Sequence, residues 1–271
     1  MIIYSSWFGK KIFSFILLGA VYGNLHMPVF SQGQWPHPNA HAHNDYEHQH
    51  PLFDALENGF ISVEADVHLQ QGILLVGHNG VTGSSPLLER LYIAPLDSLL
   101  KINAGRIYKG YSDPFYLMID IKSRAKETTE KIKEILNRYP AMLCETQNCP
   151  VKIFLSGNRP MDIFQQKGYQ GIALDGRPAD LGKGFDVTQM PIVSDRYHNW
   201  SSWDGKEDPG EGDLEKIKEL VNRTHGEGKK LRLWAIPDTE KAWTILLDVG
   251  VDLINSDRLK DLHVFLKKRN L

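Results

Sequence analysis

Cysteine is scarce in this sequence, with only Cys144 and Cys149 among 271 residues. With no further Cys and no His beside them, the two make a poor zinc site. Their remaining use is a local disulfide across a C-x4-C loop, if the chain resides in an oxidising compartment. Basic charge is not in excess either: 31 Lys and Arg stand against 33 Asp and Glu. That balance argues against a nucleic-acid partner, which calls for a basic face. Long apolar runs are missing. The longest, Ile12 to Val21, is about half of the ~20 residues that span a bilayer. No glycine-rich dinucleotide loop follows any strand-like run, which weakens the case for a doubly wound open sheet. There is no internal repeat and no low-complexity stretch.

What is present begins with that short apolar run. Lys10 and Lys11 precede it, and Val29 and Ser31 stand where a leader-cleaving enzyme reads its site. Residues 1–31 are therefore expected to be a signal peptide and residues 32–271 the working domain, secreted or periplasmic. The alternative is an uncleaved N-terminal anchor. Residues 1–31 hold two Lys and no acids, so the rest carries 29 basic and 33 acidic side chains, a net charge of −4. With the leader removed, no stable membrane span is expected.

Beyond residue 31, strand-like and helix-like patterns alternate. Short apolar runs bounded by turn residues lie at Ile61–Leu69, Ile73–Gly77, Phe115–Ile121, Val151–Leu155, Gly171–Leu174, Pro191–Val193, Leu231–Ile236 and Val251–Ile254. Runs this short, with β-branched residues, read as parallel strands. Helical periodicity falls at Leu52–Asn58, Lys126–Tyr139, Asp213–His225, Asp238–Val249 and Arg258–Lys268, with caps and stops in place. With the short run Ile73–Gly77 set apart, the other seven and Ala40–Asn44 as the first make eight main strands. Eight βα units in about 240 residues predict a single TIM (β/α)8 barrel of the α/β class. The stretch from Arg196 to Gly212 breaks the rhythm after the sixth main strand. It reads as a substrate-side loop bearing Trp200 and Trp203, because barrel active sites are built from such loops.

The residues that could do chemistry cluster at strand ends. Glu64 and Asp66 are two apart in a strand and share a face. Two inward carboxylates repel unless a cation lies between them, and hard oxygen donors select Mg2+ or Ca2+. Asp120 and Lys122 repeat the spacing at the end of a very apolar strand, Asp120 as a third metal ligand and Lys122 as a point charge for an anionic oxygen. His41 and His43 end the first strand, and His78 follows Ile73–Gly77. Imidazole, with an unperturbed pKa near ~6.5, can take or give a proton near neutral pH.

This order of residues resembles the glycerophosphodiester phosphodiesterases and the related phosphatidylinositol-specific phospholipases C. Their pattern has a His after strand one, E-x-D on strand two, a His soon after, acid-x-Lys on strand three, a Trp on strand seven and G-V-D-x-I near the end. Here those positions read His43, Glu64 and Asp66, His78, Asp120 and Lys122, Trp234, and Gly250-Val-Asp-Leu-Ile254. The HAHNDY and VEADV segments resemble a branch that includes the altered-inheritance-of-mitochondria proteins. The resemblance implies a TIM barrel in which Glu64, Asp66 and Asp120 bind one divalent cation. It makes His43 and His78 the acid/base pair, has Lys122 contact the phosphate, and has Trp234 and Asn255 line the pocket. It implies hydrolysis of a small-molecule or lipid-derived phosphodiester, by water or by a neighbouring substrate hydroxyl. Two departures leave the head group open. The family's His-Arg-Gly is His43-Asn44-Asp45 here, and its His-Asp is His78-Asn79. Asp120, Lys122, Trp234 and Asn255 are also similar to the sphingomyelinase D branch.

Two other readings compete. His41-Ala-His43 is also the H-x-H of amidohydrolase-type and histidinol-phosphatase-type barrels. That reading needs later ligands, for which His198 and Asp257 are available, and a zinc-type metal. The other is a non-catalytic secreted binding protein on the same barrel.

Overall fold

A computed structural model describes residues 36–269 except 147, 163, 165–170 and 211. The expected leader, residues 1–31, lies outside the described residues. Nine strands form one sheet: β1 (His37–Ala42), β2 (Phe60–Gln70), β3 (Ile73–Val76), β4 (Phe115–Ile121), β5 (Val151–Gly157), β6 (Ile172–Gly176), β7 (Ile192–Arg196), β8 (Lys230–Trp234) and β9 (Leu253–Ser256). All neighbours pair in parallel except β2 with β3, and β1 pairs with both β2 and β9. That double pairing closes eight parallel strands into a TIM barrel, the expected fold. The helices that follow them include α1 (Phe53–Glu57), α2 (Ala94–Ile102), α3 (Ala125–Leu136), α4 (Glu215–His225), α5 (Glu240–Val249) and α6 (Leu259–Lys268). No helix among the described residues is long and apolar enough to cross a membrane.

One expectation is corrected. Ile73–Gly77 is not a parallel strand but the return arm of a hairpin with β2, in register from Val67↔Val76 to Gln70↔Ile73. The two residues between the arms, Gln71 and Gly72, have φ of 50° and 79°. Two successive left-handed residues suit the twist of a two-residue hairpin. The hairpin also has a consequence for the site. It turns the chain back so that Gly77 N–H donates to the Asp66 carbonyl, 3.0 Å away, and His78 arrives over the end of β2.

Parity decides what fills the barrel. On β2 the residues Val63, Ala65 and Val67 are fully buried on the outer, helix-covered face, so Glu64 and Asp66 point inward. The inner face changes character along each strand. Tyr116, Met118, Phe154, Ala173, Ile192 and Leu253 form a buried apolar floor, with Tyr116 and Phe154 edge to face at 6.3 Å. Two residues further along the strands come Asp120, Ser156, Asp175, Ser194 and Asn255. The floor supplies the dry packing a barrel interior needs, while the polar tier above it sits at the C-terminal mouth where such barrels carry their sites.

Helix positions follow local signals. Thr239 caps α5 by accepting from the Ala242 N–H at 3.2 Å, and Gly250 ends it at φ 105°. Helix α2, absent from the expected helices, carries Pro95 near its start. The proline lies in the first turn, where no backbone N–H is needed. Cys144 and Cys149 are joined in a disulfide, with Cα atoms 5.5 Å apart. Trp203 is not on a substrate rim as expected: it is buried, and its Nε1 donates to the Glu207 carbonyl at 2.8 Å. Trp200 is half-buried and donates to Asp195 at 2.8 Å.

Candidate active site

Three strand ends and one hairpin assemble the site. Register aligns Glu64 with Met118 and Asp66 with Asp120 on the neighbouring strand, so three carboxylates face one space. Each offers an oxygen within 4.8 Å of the other two. Among the described residues they are the group of three or more His, Cys, Asp or Glu side chains so arranged.

Asp66 is fully buried and unevenly used. Its Oδ2 accepts from His78 Nδ1 at 2.7 Å, from the Tyr46 hydroxyl at 2.9 Å and from Lys122 Nζ at 3.1 Å. Its Oδ1 is buried with no partner, and so is Oδ1 of Asp120. A buried carboxylate oxygen left bare is costly. Burial, together with Glu64 and Asp66 and against the pull of Lys122, raises the pKa of Asp120. Two bare oxygens and a third carboxylate in one dry space form an all-oxygen donor set, consistent with a hard divalent cation. Gly157 makes room for this: at φ 63°, any Cβ there would run into Asp120 Oδ1 and the Ile121 carbonyl.

The two imidazoles stand on either side. His43 follows β1 and its Nδ1 donates to Asp257 at 2.8 Å, while Nε2 lies 3.9 Å from Glu64. Burial opposes charge on His43, but the Asp257 hydrogen bond and the nearby Glu64 outweigh it and raise its pKa. His78 is held through Nδ1 by Asp66 and remains partly exposed. In each ring a carboxylate fixes Nδ1 as the donor and leaves Nε2 for chemistry. Lys122 lies 3.1 Å from Asp66 and 3.3 Å from Asp120. Trp234 is 38 % exposed at the end of β8, with the Arg196 guanidinium 5.9 Å over its ring. Asn255 is buried, and its Oδ1 accepts from Arg232.

Several residues of the site were not read from sequence. Arg232 is buried inside the barrel and donates to Asn255 at 2.9 Å and to Glu64 at 3.3 Å. Burial works against charge on Glu64, but Arg232, with His41 and His43, prevails and lowers its pKa to about 2. A charge within the apolar run Leu231-Arg-Leu-Trp234 was the available signal, the same one that marked Asp120. Tyr46, which ties Asn44, Asp66 and His78 together, was the other. Asp257 serves His43 rather than standing free.

The H-x-H set does not assemble. His41 is fully buried against Ser62 at 2.7 Å, and burial and Arg232 lower its pKa to about 4. His198 is exposed on the loop after β7 and meets the Tyr197 ring edge to face. A guanidinium beside Glu64 also opposes a cation on the His41 side of that carboxylate.

Replacing Asp257 by Asn removes the anion that favours His43 in its protonated form. The titration of the His43 ring, followed by NMR, is expected to move to lower pH. An unmoved titration between about pH 5 and 9 would separate Asp257 from the ring.

The loop carrying His43 and Tyr46 rests on Asp45, which is buried and accepts from the Leu52 N–H at 2.6 Å and the Tyr92 hydroxyl at 2.8 Å. Burial dominates and raises its pKa to about 7. Because the folded value lies above the unfolded one, this residue's contribution is full below about pH 4. It is lost as pH rises towards 7, by on the order of 4 kcal/mol. Asp45→Asn is expected to flatten that slope, making the variant the more stable form at pH 8. Urea melts at pH 5 and pH 8 check this, and equal slopes in the two proteins would contradict it.

The C-terminal mouth of the barrel thus gathers three carboxylates, two imidazoles and the Lys122 ammonium. A family model described as the AIM6-like phosphodiesterase domain matches residues 30–173, more than half of the chain, and the chain belongs to that family. The matched segment contains His43, Glu64, Asp66, His78, Asp120 and Lys122. Among curated relatives, the altered inheritance of mitochondria protein 6 of Eremothecium gossypii is 29% identical over 83% of this chain and 68% of its own. The Saccharomyces cerevisiae protein of that name is 26% identical over 81% and 68%. This chain thus spans about two thirds of the length of those relatives. A crystal structure of a glycerophosphodiester phosphodiesterase from Thermotoga maritima has the same fold, with a TM-score of 0.51 and 17% identity, covering 87% of this chain and all of that one.

Proposed function

We propose that this chain hydrolyses a phosphodiester bond in a small-molecule or lipid-derived substrate, such as a glycerophosphodiester. In this reading Glu64, Asp66 and Asp120 hold one Mg2+ or Ca2+, and His43 and His78 are the acid/base pair. The observation that carries it is the pair of bare, buried oxygens, Asp66 Oδ1 and Asp120 Oδ1, flanked by two carboxylate-oriented imidazoles. A bound divalent cation would offset the charge that gathers on the phosphoryl oxygens.

The residues of the chain do the rest. The two rings divide the two proton transfers: one accepts from the attacking hydroxyl or water, the other gives to the leaving oxygen. Asp257 and Asp66 keep each ring in the tautomer that leaves Nε2 free. Tyr46 fixes Asp66 from the side away from the open oxygen. Lys122 presents its ammonium towards a phosphoryl oxygen, and Trp234 with Asn255 bounds the space for the substrate's organic part. The apolar floor below excludes water from beneath.

The expected leader at residues 1–31 and the Cys144–Cys149 disulfide support a secreted or periplasmic site of action for the domain at 32–271. Isothermal titration of the full chain with Mg2+, Ca2+ and Zn2+ tests the metal assignment. One site for Mg2+ or Ca2+, lost in Glu64→Ala and kept in His41→Ala, is the expected result. A zinc site lost in His41→Ala would instead favour the H-x-H chemistry.

A further inference from the structure

Resting on that reading, we infer that Arg177 binds the substrate's phosphoryl oxygens and that Asp175 is its positioning residue. Arg177 follows β6, two residues beyond Asp175 and so on the same inward face. Asp175 is fully buried and satisfied on both oxygens. It accepts from Ser194 at 2.6 Å on Oδ1, and from Ser156 at 2.7 Å and Arg177 Nη1 at 2.6 Å on Oδ2. The Arg177 Nη1 also donates to the Gly176 carbonyl at 2.9 Å, and Nη2 donates to Ser156 at 3.2 Å.

Ser156 ties this group to the candidate metal ligands, because it is the direct register partner of Asp120 across β4 and β5. Ser156 Oγ accepts from Arg177 Nη2, so the guanidinium and Asp120 share a neighbour. Burial works against its charge, and Asp175, with smaller contributions from Asp120 and Asp195, more than restores it.

The donor arithmetic leaves an edge free. A guanidinium has five N–H groups in a planar fork. Nη1 spends both of its own on Asp175 and Gly176, and Nη2 spends one on Ser156. Among the described residues, Nε–H and the second Nη2–H have no acceptor, and the side chain is 29 % exposed. That Nε–Nη2 edge matches two oxygens of a phosphate bidentately. Lys122, with two carboxylates already on its ammonium, offers one remaining N–H as a point charge and no planar fork. A buried Arg–Asp pair adds little stability over apolar residues of similar volume, so the clamp is better explained by what it aims.

The test uses the full chain and its Arg177→Gln and Arg177→Lys variants. Two quantities are measured: KM and kcat for bis(p-nitrophenyl) phosphate with added Mg2+ or Ca2+, and inorganic phosphate affinity by calorimetry. In Arg177→Gln, KM and the phosphate Kd are both expected to rise about tenfold or more, with the larger change in KM than in kcat. Arg177→Lys, which retains the charge without the fork, should recover part of that loss. Asp175→Asn should weaken phosphate binding in the same direction, since it leaves the guanidinium unheld. Thermal melting accompanies each, and if Arg177→Gln does not fold, Arg177→Lys decides on the same two readouts.

Unchanged KM and unchanged phosphate affinity in a folded variant would overturn the inference, as would a fall in melting temperature with no change in either. Should the parent chain turn over no substrate, the phosphodiesterase reading fails. The phosphate arm still decides this inference: binding lost in Arg177→Gln upholds it, and binding retained ends it.

Discussion

Asp66→Ala is expected to lower turnover by more than about a hundredfold and to weaken divalent-cation affinity by a similar factor. In the proposed reading two functions meet at this carboxylate. Its bare Oδ1 faces the same space as Asp120 Oδ1, while Oδ2 gathers His78, Tyr46 and Lys122. Alanine removes a cation donor and releases the ring, the phenol and the ammonium together. The fold should survive, because the variant relieves repulsion among three inward carboxylates and the apolar floor is untouched. Asp66→Asn is the sharper companion. It keeps the volume and one acceptor but not the charge, so cation affinity should fall as in the alanine variant. Calorimetry with Mg2+ and Ca2+ and a thermal melt read these outcomes. Cation affinity intact in both variants would remove Asp66 from the metal site.

His78→Ala is expected to cut kcat by about 10² to 10⁴-fold, the range for losing a positioned acid or base, with little change in KM. The ring is partly exposed and is held by Asp66 at 2.7 Å, with the Tyr46 hydroxyl at 3.4 Å, so the substitution leaves no cavity in the core. Tyr46→Phe offers a graded comparison. It removes one hydrogen bond to Asp66 and leaves His78 in place, so its effect should be the smaller. Steady-state kinetics on bis(p-nitrophenyl) phosphate separate the cases. A kcat within twofold of the parent for His78→Ala would mean that another group carries the proton.

The parts legible from sequence were those written in periodicity and in charge against pattern. Glu64 and Asp66 stood two apart in an alternating strand, and Asp120 interrupted an apolar one. Both signals survive folding because side-chain parity in a strand is rigid. The eight-strand barrel followed from the same runs. What failed was information held between distant segments. Ile73–Val76 has the composition of a parallel strand, and only the two left-handed residues Gln71 and Gly72 reverse it. Gln71 is not a residue that announces such a turn. Arg232 was read as part of a strand end bearing Trp234, yet its parity with Trp234 put a guanidinium beside Glu64. Asp175 and Arg177 fall just past the run Gly171–Leu174, and nothing in the linear pattern marks them. Their importance depends on Ser156 and Asp120, which the barrel brings alongside and the linear chain does not. Trp203 shows the converse case: a tryptophan in a loop rich in Asp, Ser and Gly folded inward to become that loop's own core.

The most direct test of the account is turnover of bis(p-nitrophenyl) phosphate by the full chain. It is measured in EDTA and then with Mg2+, Ca2+ or Zn2+ restored, beside His78→Ala as control. Hydrolysis absent in EDTA, recovered with Mg2+ or Ca2+ and lost in His78→Ala is the predicted result. A folded protein that hydrolyses nothing with any of the three metals, or that works equally well in EDTA, would contradict it.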